Sequence, residues 1–189
     1  LIAYGSIGGD AAVQFLHKWY IPLQKANASI DKLKVIGWIS HKLFKQNSET
    51  AWQEFIDLLK FLLENGANPT ESISGENPIE WLSFKIFINN KGIRKDVIST
   101  TKYLLQAIDL LASYTDDINN AKTAHGYNDI VLLEDPVEYN AKKVVEILLR
   151  NGADPNVIKH GHRNTFLLSI AVSRGHLEIA ELLKKYGAK

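Results

Sequence analysis

Three segments of this chain end a helix in nearly the same residues: Leu62-Leu63-Glu64-Asn65-Gly66-Ala67-Asn68-Pro69, Leu148-Leu149-Arg150-Asn151-Gly152-Ala153-Asp154-Pro155-Asn156, and Leu182-Leu183-Lys184-Lys185-Tyr186-Gly187-Ala188. A phrase recurring at long, roughly regular intervals marks one supersecondary unit used repeatedly, each copy too small to bury its apolar side alone. Stacked copies offer an extended surface more readily than an enclosed pocket, so binding is the first expectation.

The phrase has a mechanical reading. Its paired leucines lie on the buried side of a helix, and its glycine takes the left-handed conformation that closes it. In the first two copies a proline soon after keeps the helix from resuming. A new start follows at Gly75-Glu76-Asn77-Pro78-Ile79-Glu80-Trp81-Leu82, where Asn77 can cap the helix and Pro78 occupies its first position. Looser starts are Gly126-Tyr127-Asn128-Asp129-Ile130 and Asn164-Thr165-Phe166-Leu167-Leu168. A second helix is clearest in Gly175-His176-Leu177-Glu178-Ile179-Ala180-Glu181-Leu182-Leu183. Its expected buried stripe is Leu177, Ile179, Ala180, Leu182 and Leu183, with Glu178 and Glu181 outside. Each unit is then a turn, a helix, a tight reversal, a second helix and a return loop. The expected fold class is all-α, with no sheet among the helices.

On these residues the chain resembles an ankyrin-repeat array, whose helix pair reads T-P-L-H-x-A-A-x-x-G-H-L-E-I-V-x-L-L-L-x-x-G-A-D-x-N. Residues 166–188 follow that pattern closely from Ile170 onward, Val144 to Asn156 match its second half, and Leu59 to Pro69 match nearly as well. The resemblance implies a solenoid of stacked helix-turn-helix units joined by loop fingers. It divides the chain into a partial unit over 1–29, a long helix pair over 30–71, an enlarged unit over 72–120, and units over 121–158 and 159–189.

The departures are specific. Glycine-equivalent positions fall at 66, 115, 152 and 187, giving intervals of 49, 37 and 35 against the family's 33. Position 115 is Thr115, and a β-branched residue is disfavoured in left-handed geometry by about 1–2 kcal/mol, so that helix is predicted to end another way. The long interval is assigned to helices extended on both sides of Asn89-Asn90-Lys91-Gly92; Ile86-Phe87-Ile88 is read as buried between them, the alternative being a patch for a partner. Asn47-Ser48 followed by Glu49 is read as a helix cap.

Composition narrows the chemistry. Twenty-two basic and 21 acidic residues leave a net charge of +1, which gives no general pull toward nucleic acid. Cysteine is absent, which removes disulfides, thiolate metal sites and a cysteine nucleophile. No run approaches the roughly 20 apolar residues of a membrane helix, so no membrane partner is expected. The chain opens mid-pattern at Leu1 without a leader pattern, and is expected to be a piece of a longer protein acting in the cytoplasm, or in a host cell's cytoplasm if the parent is a secreted effector. His160-Gly161-His162 lacks a carboxylate or cysteine pattern to complete a metal site, and Gly5, Gly8 and Gly9 lack phosphate-loop spacing. Asp116-Asp117 and Glu134-Asp135 are read as turn and helix-end chemistry, and the four tryptophans as core. No catalytic residue, metal or cofactor is assigned.

The resemblance further implies contact with a partner protein through the turn tips and the exposed side of each first helix. Carried across by position, the second unit offers Ser74 and Glu76, with Phe84 and Lys85 beyond. The third offers His125 and Tyr127 at its tip and Asp135 after the helix, and the fourth His162, Arg163 and Thr165, then Ser173 and Arg174. Lys159, His160, His162, Arg163 and Arg174 would make one end basic, so an acidic segment is the expected ligand. The expectation is a monomeric, non-catalytic interaction module. The competing reading is a substrate-positioning segment of a larger enzyme or effector whose catalytic part lies outside these residues.

Overall fold

The computed structural model describes residues 49–70, 77–90, 100–120, 132–159 and 165–189. The expected units over 1–29 and 30–48, the cap at Asn47-Ser48 and the turn near Gly92 lie outside the described residues. Seven α-helices occupy the described residues: α1 (Glu49–Glu64), α2 (Pro78–Asn90), α3 (Thr100–Ser113), α4 (Glu134–Glu138), α5 (Lys142–Arg150), α6 (Leu167–Ser173) and α7 (Leu177–Lys185). The fold is all-α, with one addition that the sequence did not announce. Ile158–Lys159 (β1) pairs antiparallel with Thr165–Phe166 (β2), in register Ile158 opposite Phe166 and Lys159 opposite Thr165. Two residues a side tie the return loop together without making a sheet layer.

Apolar spacing explains which sides meet. In α1, Trp52, Phe55, Leu58, Leu59, Leu62 and Leu63 are buried at three- and four-residue steps. Trp52 stacks on Tyr103 of α3, ring centres 6.0 Å apart and 13° from parallel, and meets Phe55 edge-on at 6.3 Å. In α2, Ile79, Trp81, Leu82, Ser83 and Ile86 are buried on several sides, as suits a helix that packs on both α3 and α4. The Ser83 hydroxyl donates to the Ile79 carbonyl at 2.7 Å, so its burial leaves no unmet donor.

Packing runs in order. α2 lies against α3, α4 against α5, and α6 against α7. Contacts also link α2 to α4 and α4 to α6, and link α1 to α3, α3 to α5 and α5 to α7. Leu59, Leu62, Leu104, Ile108, Leu148, Ile179 and Leu183 carry the core along the second of these rows.

The helix ends obey the expected chemistry. Gly66, Gly152 and Gly187 have φ of 83°, 92° and 95°. In each, the glycine amide bonds the carbonyl three residues back and the following alanine amide bonds the one five back: Ala67 to Leu62, Ala153 to Leu148 and Ala188 to Leu183, each at 3.0 Å. Thr115 closes α3 otherwise, its hydroxyl donating to the Leu111 carbonyl at 2.8 Å. Asn77 caps α2 as expected, Oδ1 accepting from the Ile79 amide at 2.9 Å.

Two expectations are corrected. Leu177, assigned to the buried stripe, is 66% exposed; it is the first residue of α7 and points away from the row that buries Ile179, Ala180 and Leu183. Asp135, placed after a helix, lies instead in the first turn of α4 with Glu134 and Pro136. Proline is tolerated there because first-turn amides have no intrahelical acceptor, so Glu-Asp-Pro opens this helix and does not close one.

Candidate functional site

Of the residues assigned to a partner surface, Ser74, Glu76, His125, Tyr127, His162 and Arg163 lie outside the described residues. Thr165 forms β2, so its backbone belongs to the ladder and not to an open tip. The remaining five fall on the first helices or at their ends: Phe84 and Lys85 on α2, Asp135 on α4, Ser173 and Arg174 at the end of α6.

Phe84 is a large apolar side chain left 40% exposed on α2. Its ring centre is 6.3 Å from that of Phe87, one turn along. Phe87 in turn stacks on Tyr139, which follows α4, at 4.0 Å and 22°. Two rings from α2 and one from the residue after α4 thus form a continuous aromatic strip. Lys85 turns its Nζ over the Trp81 ring, 4.8 Å from the centroid, which places its charge against an aromatic face.

The strip borders carboxylates. Glu134, Asp135 and Glu138 bring one oxygen each within 4.8 Å of one another. Glu138 is ion-paired with Arg174, which joins the ends of α4 and α6. The guanidinium opposes a cation at this cluster, and no metal is assigned to it. Burial raises the Tyr139 hydroxyl above its ordinary pKa, and the charges of Asp135 and Glu138 push it the same way. Arg174 was expected to face a partner freely; the structure gives it a partner within the chain. Ser173, beside it, donates its hydroxyl to the Ile170 carbonyl at 3.1 Å and stays exposed.

Two further contacts join neighbouring pairs, one between α4 and the α6–α7 reversal and one between α5 and α7. A ring nitrogen of His176, Nδ1, lies 2.9 Å from the Val137 carbonyl, and Lys142 Nζ lies 3.0 Å from Glu178 Oε2. His176 is therefore a supporting residue of the α6–α7 reversal. Trp52 and Trp81 are core, as expected of them, while Trp19 and Trp38 lie outside the described residues.

A mostly apolar recess is lined by Ile118, Leu132, Leu133, Ala153 and Val157, with Asn119 and Asp154 beside them. Its lining joins no nucleophile to a base among the described residues. No helix of the described residues is long and apolar enough to cross a membrane.

Tyr139 and Glu138 were not singled out from sequence, and of the run Ile86-Phe87-Ile88 the structure buries Ile86 while Phe87 stacks on Tyr139. Phe84 and Phe87 stand three apart on one helix, a spacing that places them side by side, but Tyr139 reaches them only through the packing of α4 on α2. No protein-family model matches the chain, and neither a curated protein nor a solved structure does so.

Proposed function

We propose that this chain is an ankyrin-like solenoid that binds a partner protein through its turn tips and the exposed side of its first helices, without chemistry of its own. The reading is supported most by one recurring device. Asn119 donates from Nδ2 to the Gly152 carbonyl and accepts at Oδ1 from the Asp154 amide; Asn156 makes the same pair of bonds to Gly187 and Lys189. Successive loop turns joined in the same way suit units stacked in line, each held by its neighbours. The sequence resemblance points the same way, and Phe84, 40% exposed beside the half-buried Phe87 and Tyr139, adds an apolar contact point on the outer side of α2.

In sequence, His160, His162 and Arg163 stand between β1 and β2, and their charge favours an acidic segment of the partner. The test is affinity capture with the native chain and with a variant carrying Phe84→Ala, His162→Ala and Arg163→Ala. A protein retained by the native chain and lost from a variant of equal thermal stability supports the module. Identical retention by both, or none by either, contradicts it.

A further inference from the structure

We infer that Asn151 is a site of spontaneous deamidation, that the folded turn holds this reaction off, and that its product unfastens α5 from α3. Asn-Gly occurs twice in the chain, at Asn65-Gly66 and Asn151-Gly152, and each pair directly follows a helix. In such a pair the glycine nitrogen, with no side chain beside it to obstruct approach, can attack Cγ of the asparagine. The N–Cγ bond forms, the Cγ–Nδ2 bond breaks, and ammonia leaves with the glycine amide proton. Water then opens the cyclic imide at either carbonyl, leaving aspartate or its β-linked isomer. Water is the only co-reactant.

The turn opposes each requirement of that chemistry. Ring closure needs the Gly152 nitrogen on the same side of the Asn151 Cα–C bond as Cβ, and a ψ of 16° puts it on the far side. The attacking nitrogen must lose its proton, yet the Gly152 amide donates it to the Leu149 carbonyl at 3.1 Å. The side chain under attack is fixed by two acceptors: Nδ2 donates to the Ile147 carbonyl at 2.9 Å and to Asp109 Oδ1 of α3 at 3.2 Å. The same Asp109 oxygen accepts from Arg150 at 2.6 Å, so one carboxylate anchors both the last residue of α5 and its cap. Reaction therefore proceeds through local openings of this turn. Once formed, a carboxylate at position 151 would face two acceptors, the Ile147 carbonyl and Asp109, and both hydrogen bonds would be lost. It would also set a second negative charge beside Asp109 and compete with it for Arg150. At Asn65, Nδ2 donates to the Phe61 carbonyl at 2.7 Å and the Gly66 amide to Leu63 at 3.0 Å, so the same product there breaks a bond within one helix end.

The experiment ages the whole chain at mildly alkaline pH, in native buffer and in guanidinium chloride, and follows both asparagines by peptide mapping with mass spectrometry. Asn151 should react at least about 10-fold more slowly in the native chain than in the denatured one. Asp109→Ala should speed the native-state reaction of Asn151 about 3–10-fold and leave that of Asn65 unchanged, which separates release of this turn from general destabilisation. A chain carrying Asn151→Asp, standing for the product, should melt about 2–4 °C below one carrying Asn65→Asp. Equal rates for Asn151 in the native and denatured chain overturn the inference. So does an Asp109→Ala variant that speeds both asparagines alike or leaves Asn151 unchanged, and so do equal melting temperatures of the two aspartate variants.

Discussion

Asn119 and Gly152, 33 residues apart in sequence, are joined by a 3.1 Å hydrogen bond from the asparagine Nδ2 to the glycine carbonyl. The same side chain accepts at Oδ1 from the Asp154 amide at 2.8 Å, so one amide group satisfies two backbone groups of the next turn. Asn156 repeats this with the Gly187 carbonyl at 3.1 Å and the Lys189 amide at 3.0 Å. The corresponding residue of the first turn is Thr70, whose hydroxyl and amide both bond Asn68 Oδ1 within the same turn. The bridge therefore runs from α3 to the end of the chain and is missing at the α1 turn.

That difference makes a graded prediction. Asn119→Ala and Asn156→Ala each lose two hydrogen bonds between turns and should destabilise by about 1–2 kcal/mol. Thr70→Ala loses only a local contact and should cost less than about 0.5 kcal/mol. Urea unfolding midpoints of the three variants, measured side by side, decide it.

The left-handed ends separate backbone strain from crowding. At Gly152, φ is 92° and an added Cβ would meet nothing within 4 Å, so Gly152→Ala should cost about 1–2 kcal/mol from conformation alone. Asn140 already occupies this region at φ 59°, after α4, where the equivalent position after α6 is Gly175 at 73°. Asn140→Gly relieves strain but loosens the unfolded chain, and should change stability by less than about 1 kcal/mol. Thermal unfolding of the two variants checks the contrast.

These closures were the part most legible in sequence, because a glycine after paired leucines, or an asparagine before proline, has few other uses. The helix stripes were legible for the same reason, except at Leu177, where the apolar pattern continues one residue beyond the helix side that is covered. Contacts between helices distant in sequence were not. Arg174 with Glu138, Arg150 with Asp109 at 2.6 Å, and Phe87 with Tyr139 join residues far apart in sequence, and no local spacing announces such pairs. The two-residue ladder of Ile158–Lys159 with Thr165–Phe166 is likewise too short for an alternating pattern to register. Asp135 was placed by its position in the family pattern, and that register does not reveal that Glu134-Asp135-Pro136 forms the first turn of α4.

Alkaline pH should loosen the fold at two identified places. Lys142 is held above its ordinary value of 10.5, first by its hydrogen bond to Glu178 and then by that carboxylate's charge. Tyr139 is held above 10.0, first by burial and then by Asp135 and Glu138. In both, the folded state keeps the proton more tightly, so the contribution is complete below the ordinary value and is lost as pH rises through the raised one. The melting temperature should therefore decline above about pH 10. The decline should be shallower in a Lys142→Met, Tyr139→Phe double variant, as followed by circular dichroism.

Two valines at corresponding places on α4 and α6 should differ in their tolerance of truncation. Val137 is fully buried while Val172, in the corresponding place on α6, is 54% exposed. Val137→Ala should cost about 1–3 kcal/mol and Val172→Ala less than about 0.5 kcal/mol. Denaturant unfolding of the pair measures the difference.

The most direct measurement is hydrogen exchange, resolved by helix, on Leu148→Ala. Leu148 is fully buried in α5, which packs on α3, α4 and α7, and the truncation should cost about 2–5 kcal/mol. If the units stack in line, protection falls most in α5 and in α3, α4 and α7, which pack on it, and least in α1, which does not. An equal loss of protection in every helix would mean one closed core and would contradict the stacked arrangement.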